Sequence, residues 1–452
     1  MKALTARMRS AIVWVIRYGI PGLVIRFAAR RGDLIARSAV DPDALDDPAR
    51  FYTDLRAMGP VGGNRLIGAS AHHAVVNHIL RSDAFRANPG GAPTEWLDKI
   101  MLAAIDPRAL GPVDIPSLLA IEPPQHARLR RLVSHAFTPR AIAGYAGTIR
   151  EIAGELLDRA AERGGRFDLI DDYAVQLPIT VIARIMGIPD DMHEELLGIG
   201  NDAALTLDPA LSWRDFRAAD RAIRRAGVLL DEHIARLRRA PGEDLLSELV
   251  GKSDDGDRLT DEELRVNTLL LIGAGFETTV NLIGNAVALL LDHPDQLAAL
   301  RADPEGWPNA VDEVLRFDAP VQVTVRVAHK DTEVAGRAVK PGQAFVLMLG
   351  AANRDPEVFP DPDRFDVTRP EARLHLAFSA GVHYCLGAQL ARLEAAIALQ
   401  ALFDRFPDLA VVSPPVRRRT RVLHGFEHFP VTTGEAVDQP AARASTTSSS
   451  AR

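Results

Sequence analysis

The stretch Phe378-Ser-Ala-Gly-Val-His-Tyr-Cys385-Leu-Gly387 contains the single cysteine of the chain and runs directly into an apolar helical pattern over Ala388–Leu402. A cysteine at the start of a helix has its thiolate stabilised by backbone N–H groups and by the helix dipole. The glycines at both ends of the segment let the backbone approach a flat object closely. A lone cysteine in a glycine loop is more often structural, so other motifs must decide between packing and ligation.

The composition limits the kind of protein. One cysteine among 452 residues excludes an intramolecular disulfide and a zinc site with several thiolates, and it favours a reducing compartment such as the cytoplasm. Apolar residues make up 47% and charged residues 25%, which is typical of a folded globular chain. The net charge of −7 disfavours nucleic acid as a partner, because phosphate binding needs concentrated Lys and Arg.

A long helix is predicted from Thr260 to Asp292, because Thr260 with Glu263 has the spacing of a capping box. At 1.5 Å per residue such a helix is roughly 48 Å long and crosses a whole domain. Its middle reads Gly-Ala-Gly-Phe-Glu-Thr-Thr over 273–279, and each interior glycine costs roughly 1 kcal/mol in helix propensity. Residues that disfavour a helix usually mark a functional site when they occur in its middle. The alternative is a loosely packed buried helix.

Two pairs of polar residues lie at helical spacing. Glu313 and Arg316 are three residues apart, and His126 and Arg130 are four apart. From spacing alone, the first pair is expected on the surface. The second pair is either part of a solvated basic helix or a set of donors for carboxylates, which arginine binds well.

The pattern Phe-x-x-Gly-x-His-x-Cys-x-Gly of the opening segment resembles the haem loop of the cytochrome P450 superfamily. The order Ala-Gly-x-Glu-Thr-Thr in the long helix is similar to that superfamily's distal helix, and the resemblance covers about residues 41–431. It implies a mainly α fold with a minor β region in one domain. It also implies haem b, held between a long distal helix and a proximal helix.

The resemblance further implies roles for individual residues. Cys385 is implied as the thiolate ligand of the haem iron, and Glu277 with Thr278 as the acid–alcohol pair that delivers protons. The implied structural triad behind the haem loop consists of Glu313, Arg316 and Arg364. The other implied haem contacts are His126, Arg130, Ala274, Arg326, Phe378, Gly381, His383 and Gly387. The implied substrate contacts are Phe276, Val321, Val323 and Phe426.

The function implied by this resemblance is that of a soluble, actinobacterial-type monooxygenase. It would insert one oxygen atom of dioxygen into a C–H bond of an apolar small molecule, namely a lipid, polyketide, terpenoid or steroid. A separate ferredoxin and ferredoxin reductase would supply electrons, and the chain is expected to be monomeric. Two alternatives are a peroxygenase or isomerase on the same fold, and a non-catalytic haem sensor. The Glu277–Thr278 pair argues against both, because neither needs a proton path.

An acidic ferredoxin would need a basic surface on the proximal side of the haem. By resemblance, that surface is expected to be formed by Arg128, Arg130, Arg131, Arg140 and Arg392. No fused reductase is expected, because the sequence ends soon after the C-terminal β region.

The N-terminal segment differs in charge from the remainder, since residues 1–37 carry eight basic side chains and one acidic one. Arg17 and Arg26 interrupt the apolar stretch Ala11–Phe27, and Pro21 is expected to break a helix there, so we predict that it is too short to span a bilayer. It is expected to pack on the body or to touch an anionic membrane weakly. We divide the chain into an arm (1–40), a haem-thiolate domain (41–435) and a disordered tail (436–452).

Two further regions can be interpreted from composition. Asn88–Ser117 is rich in Pro and Gly with little periodicity, which predicts a long loop. By resemblance this loop forms one wall of the substrate pocket, with Leu196–Leu211 and the turn near Gly425 as others. Val321–Leu349 is rich in Val, Thr and Phe, which predicts a small β region.

Overall fold

The 32-residue helix Asp261–Asp292 runs through the centre of the protein, with apolar residues on all of its faces. It begins as predicted. The Thr260 hydroxyl accepts a hydrogen bond from the Glu263 N–H at 3.1 Å, and the Glu263 carboxylate accepts one from the Thr260 N–H at 2.9 Å. This reciprocal pair satisfies two N–H groups that the first helical turn would otherwise leave unpaired.

The computed structural model describes residues 6–87, 95–251 and 258–434. Its α-helices in chain order are α1 Ala6–Trp14, α2 Ile20–Arg30, α3 Leu34–Val40, α4 Pro42–Asp46, α5 Tyr52–Ala57, α6 His73–Arg81, α7 Glu95–Ala104, α8 Gln125–Val133, α9 Pro139–Gly144, α10 Ala146–Glu162, α11 Gln176–Met186, α12 His193–Ala204, α13 Trp213–Leu237, α14 Leu245–Gly251, α15 Asp261–Asp292, α16 Pro294–Ala302, α17 Trp307–Phe317, α18 Leu349–Ala352 and α19 Ala388–Arg405.

The strands form a minor part of the fold, as predicted. They are β1 Gly62–Gly63, β2 Ile67–Ser70, β3 Phe85–Arg86, β4 Arg166–Asp168, β5 Val323–Ala328, β6 Thr332–Val334, β7 Arg337–Val339, β8 Ala344–Met348, β9 Ala410–Val411, β10 Val416–Arg417, β11 Phe426–His428 and β12 Pro430–Thr432. The largest sheet has the order β1-β2-β8-β5-β3. Within it β2 is parallel to β8, and β5 is antiparallel to β8 with Arg326 opposite Phe345.

The main hydrophobic core joins α10, α11, α15, α17 and α19. Leu157 of α10, Leu177 of α11, Val280 of α15 and Leu402 of α19 are among its fully buried side chains. Each such side chain contributes roughly 1.5–3 kcal/mol relative to exposure in water. Because α19 packs against α10, α15 and α17, its first turn, which follows the cysteine loop, is held rigidly opposite the distal helix.

Two predictions about local structure were wrong. Helix α7 occupies ten residues of the segment 88–117, which was predicted to be a loop. Ile100 and Ala104 have helical spacing, but the Pro and Gly residues around them obscure the pattern. Residues 88–94 lie outside the described part. Pro21 does not break the N-terminal helix either. A π-helical segment, Val15–Gly19, joins α1 to α2, and Pro21 lies in the first turn of α2, where its missing N–H costs little.

The helical run Arg7–Arg30 is therefore longer than the sequence suggested. Two helices in the described residues are long and apolar enough to cross a membrane by length and composition, namely Arg7–Arg30 and the mostly buried Asp261–Asp292. The second is the core helix. The predicted division into an arm, a domain and a tail stays a prediction, and residues 436–452 lie outside the described part.

Candidate functional site

A cavity of 1560 Å³ separates the middle of α15 from the loop before α19. Gly273, Ala274 and Thr278 line it from the distal helix, while Phe378 and Cys385 line it from the opposite side. The two motifs that carried the resemblance, residues 273–279 and 378–387, thus face each other across one space.

The cysteine loop holds Cys385 at the cavity wall. Its backbone N–H donates to the Phe378 carbonyl at 3.0 Å, and the thiol faces the cavity. Burial raises the pKa of the Cys385 thiol, opposed by a backbone hydrogen bond from Gly387 and by Arg130 and Arg392. A coordinating thiol is deprotonated by its metal cation, whatever its pKa without the metal. The Cys385 thiol at the cavity wall is therefore a donor that fits an iron ligand.

Glycine residues shape both walls. An added Cβ at Gly387 or at Gly273 would meet nothing within 4 Å, so open space lies next to both backbones, as a flat cofactor requires. Gly381 acts differently and does not line the cavity. Its φ of +71° is in the left-handed region, and an added Cβ would collide with the Leu80 carbonyl of α6. Its predicted contact with the cofactor is thus replaced by a packing role.

The four side chains predicted to bind the propionates all line the same cavity, namely those of His126, Arg130, Arg326 and His383. The His126 and His383 rings lie 4.6 Å apart, and the Glu122 carboxylate is 3.2 Å from His383 Nε2. Burial and the neighbouring His383 and Arg130 lower the pKa of His126 to about 4, and burial lowers the pKa of Arg326 to about 10.

Burial is the largest cause of both shifts, and Glu122 is the one acid whose charge raises the pKa of either group. An anionic ligand beside these side chains would oppose both shifts, because opposite charge favours the charged form of a base. The two carboxylates of haem provide such charge, so the predicted propionate ligands come together in the structure at a place that fits the group.

On the distal helix, Thr278 and Glu277 point in different directions. The Thr278 hydroxyl lies at the cavity and donates to the Ala274 carbonyl at 2.9 Å. Glu277 is buried, and its Oε1 accepts a hydrogen bond from Arg418 Nη1, whereas its Oε2 has no partner among the described residues. Burial raises the pKa of Glu277, and the charge of Arg418 opposes this. Arg418 was not predicted from the sequence.

The structural triad differs from the prediction in one member. Glu313 and Arg316 form a fully buried bidentate pair, at 2.7 and 2.8 Å. The third member is Arg369, whose Nε lies 3.3 Å from Glu313 Oε1. The Arg364 side chain is 67% exposed and lies 3.9 Å from Asp366. Its prediction was wrong, because the turn over 361–364 directs the side chain outward and only its carbonyl reaches the triad.

The predicted substrate contacts divide into two groups. Val321 and Val323 line the cavity, whereas Phe276 and Phe426 do not. Phe276 follows Ala274 by two residues, about 200° around a helix, so it points into the core towards Gly200. Phe426 packs on Phe429, with ring centroids 4.9 Å apart. Neither aromatic side chain lines the cavity, so both predictions were wrong.

One acid on the proximal helix was missed. Glu394 of α19 is buried and lines the cavity, and burial raises its pKa well above 4.5. The sequence contained a signal, because Glu394 interrupts the apolar face made by Leu390 and Ile397.

The predicted basic docking surface is smaller than expected. Arg128 pairs with Glu263, and Arg392 pairs with Asp312 at 2.7 Å. Arg130 lines the cavity. Of the predicted five arginines, the two that remain exposed are Arg131 and Arg140.

Comparison with known proteins agrees with this site. The cytochrome P450 family model matches residues 115–305 and 308–416. The chain is 44% identical over 436 residues to a putative cytochrome P450 140 of Mycobacterium tuberculosis, covering 95% of this chain and 99% of the relative. It is 39% identical to 6-deoxyerythronolide B hydroxylase of Saccharopolyspora erythraea, covering 84% and 95% of the two chains.

A solved structure shows the same architecture. The crystal structure of the myxobacterial cytochrome P450 CYP267B1 in complex with myristic acid matches with a TM-score of 0.79 and 31% identity, covering 88% of this chain and 100% of the other.

Proposed function

The chain belongs to the cytochrome P450 family and is a haem-dependent monooxygenase, and on this premise we propose that it hydroxylates an apolar small molecule at an unactivated C–H bond. The observation that supports the proposal is the single cavity in which the Cys385 thiol faces the Thr278 hydroxyl. Haem bound there supplies the activation of dioxygen, because a thiolate ligand donates electron density that favours O–O cleavage.

The protein's own residues hold the cofactor and move protons. The cationic cluster of His126, Arg130, Arg326 and His383 would bind the propionates. The Thr278 hydroxyl, which donates to the Ala274 carbonyl, would orient and pass on a proton on the cavity side of the distal helix. Glu277 would collect protons from the protein surface at the carboxylate that Arg418 holds.

The substrate is proposed to be a lipid, polyketide, terpenoid or steroid. Leu118, Leu269, Leu270 and Val321 give the cavity apolar walls, which favour such molecules over polar metabolites. The names of two relatives support the first two classes: one is a 6-deoxyerythronolide B hydroxylase, and another was crystallised with myristic acid.

Electrons are proposed to come from an acidic ferredoxin and its reductase. Val382 and Tyr384 are exposed directly beside Cys385 and provide an apolar centre for docking. Arg131 of α8 and Arg140 of α9, which are both exposed, would supply positive charge. A cytoplasmic monomer is the expected form.

The test uses the acid–alcohol pair, because the peroxygenase, isomerase and sensor alternatives do not need it. With a surrogate ferredoxin pair and an accepted substrate, Thr278→Ala is expected to consume NAD(P)H at a normal rate but to release hydrogen peroxide in place of product. Glu277→Gln should slow turnover by roughly 10²-fold, which is the scale of a lost proton-transfer group. Product and peroxide are measured per NAD(P)H oxidised.

Thr278→Ser is the matched control, since it keeps the hydroxyl and should stay largely coupled. If Thr278→Ala remains fully coupled and Glu277→Gln turns over normally, the assignment of the pair is wrong. The peroxygenase or non-catalytic alternatives would then be favoured.

A further inference from the structure

Within the N-terminal arm, the helical part over residues 6–30 is bound to the body along one face. Trp14 Nε1 donates to the Leu211 carbonyl at 2.9 Å, and the Tyr18 hydroxyl donates to the Thr206 carbonyl at 2.9 Å. The Arg17 guanidinium forms an ion pair with Asp114 at 2.7 Å. These contacts fix the arm lengthwise on the body, so it cannot stand upright as a membrane span.

The opposite face of the arm is apolar and uncovered. Ile20 is 53% exposed, Leu23 65%, Val24 57% and Phe27 55%. Their spacing of i, i+3, i+4 and i+7 places all four side chains in one row, named here the apolar stripe. Single exposed apolar residues are normal on a protein surface, but a contiguous row on one helix marks an interaction surface.

Positive charge accompanies the apolar stripe. Arg26, Arg30 and Arg31 are exposed on α2 and just after it, and the Arg31 guanidinium lies 4.3 Å from the centre of the Phe27 ring. Asp33 is the single acid among the first 37 residues. An apolar row flanked by arginines is complementary to a surface that has both acyl chains and negative headgroups.

The arm also borders the cavity described above. Val24, Ile25 and Ala28 of α2 line that cavity, together with Thr206 and Leu207 of the segment to which the arm is bound. A surface bound to the apolar stripe would therefore lie beside this part of the cavity wall.

We propose that the apolar stripe of the N-terminal arm docks peripherally on an anionic phospholipid bilayer, with the arm lying in the plane of the interface. Docking in this orientation brings the cavity wall formed by α2 next to the lipid surface, from which an apolar substrate can partition. The docking itself does not depend on the monooxygenase reaction, so it is tested without turnover.

The experiment is co-sedimentation of the full-length holoenzyme with vesicles. Binding is expected to vesicles of equal parts phosphatidylglycerol and phosphatidylcholine, and to be much weaker with phosphatidylcholine alone. Leu23→Asn combined with Phe27→Asn should lower the partition coefficient at least about tenfold. Arg26→Gln combined with Arg30→Gln should also lower it by roughly tenfold or more, and the remaining binding should be less sensitive to salt.

The control variant is Val228→Asn combined with Val412→Asn, which removes two exposed apolar side chains far from the arm in sequence and should bind like wild type. Equal binding of wild type to neutral and anionic vesicles, or no binding to either, would overturn the proposal. So would unchanged binding of the Leu23→Asn/Phe27→Asn variant. Sedimentation velocity gives a further check: a wild-type dimer that this variant dissociates would mean that the stripe binds a second copy of the chain.

Discussion

Replacement of Arg369 by alanine is expected to destabilise the protein strongly, whereas the same change at Arg364, five residues earlier, is not. The Arg369 side chain is 6% exposed and is ion-paired with Glu313 at 3.3 Å. Its guanidinium also donates to the carbonyls of Pro360, Asp361 and Arg364. The alanine variant would remove all three hydrogen bonds and leave the Pro360 carbonyl without a donor among the described residues, whereas the Arg364 carbonyl keeps Arg316 and the Asp361 carbonyl keeps the Arg364 N–H.

The magnitude follows from these contacts. Removing one partner of a buried ion pair costs roughly 3–5 kcal/mol. Glu313 keeps its bidentate contact with Arg316, so the lower part of this range applies to the charge itself. The Pro360 carbonyl, which loses its donor, adds roughly 1 kcal/mol, and less where water can replace the donor. A total of about 3–5 kcal/mol is expected. Arg364→Ala keeps the backbone carbonyl and removes a surface contact worth about 0–1 kcal/mol.

Urea unfolding of the holoenzyme, followed by circular dichroism, measures the free energy of unfolding. The Soret band of the reduced carbon monoxide complex measures whether the haem and its thiolate are retained. Arg369→Lys keeps the charge but has fewer donors and no planar fork, so its loss of unfolding free energy should lie between those of wild type and Arg369→Ala. The reasoning is refuted if Arg369→Ala unfolds within about 0.5 kcal/mol of wild type, which is the scale of ordinary surface changes, or if Arg364→Ala is equally damaging.

Four further substitutions test the site. Cys385→Ser should leave a folded protein without the red-shifted Soret band of the reduced carbon monoxide complex; a retained band would mean that another residue ligates iron. Arg418→Gln should raise the pKa of Glu277 further, because the arginine charge lowers it, so the corresponding limb of the pH–rate profile should move to higher pH. The Glu277→Gln/Arg418→Gln double variant should lack that limb, and a limb left in place by Arg418→Gln alone would contradict the pairing. Glu394 has a raised folded-state pKa, so the stability that it contributes is present below 4.5 and is lost as the pH rises through the folded value. The Glu394→Gln variant should therefore unfold at a higher urea concentration than wild type at neutral pH, and this difference should become smaller in acid. Equal urea midpoints of variant and wild type at both pH values would contradict the prediction. Gly381→Ala should lower the free energy of unfolding by roughly 1–3 kcal/mol and weaken haem retention, because the φ of +71° and the nearby Leu80 carbonyl disfavour a side chain. A variant that keeps the haem content of wild type after dialysis would contradict this prediction.

The features that sequence predicted well are those decided within a few residues. The capping box depends on Thr260 and Glu263 alone, and both of its hydrogen bonds are present. The small residues of α15 and the cysteine loop were recognisable because their unusual composition is local. The resemblance then correctly brought these two segments together around one cavity.

The features that were missed depend on contacts between distant parts of the chain. Glu277 is bound by Arg418, which lies 141 residues further along the chain on the hairpin of β10 and β11. Arg369 takes the place predicted for Arg364, because the path of the chain over 361–369 decides which guanidinium turns inward. Several arginines were available in both segments, and spacing cannot distinguish among them.

The N-terminal arm shows why composition alone could not settle its role. A helix that is apolar on more than one face is stable in a protein core or at a membrane, and the sequence is the same in both cases. Here the body covers only the face that carries Trp14 and Tyr18, which leaves the row from Ile20 to Phe27 in contact with water. The arginines that argued against a bilayer span do not argue against an interfacial helix, because such helices place basic side chains at the headgroups. The free face is thus a consequence of how the arm docks on the body, and that docking leaves the apolar stripe available to the proposed bilayer surface.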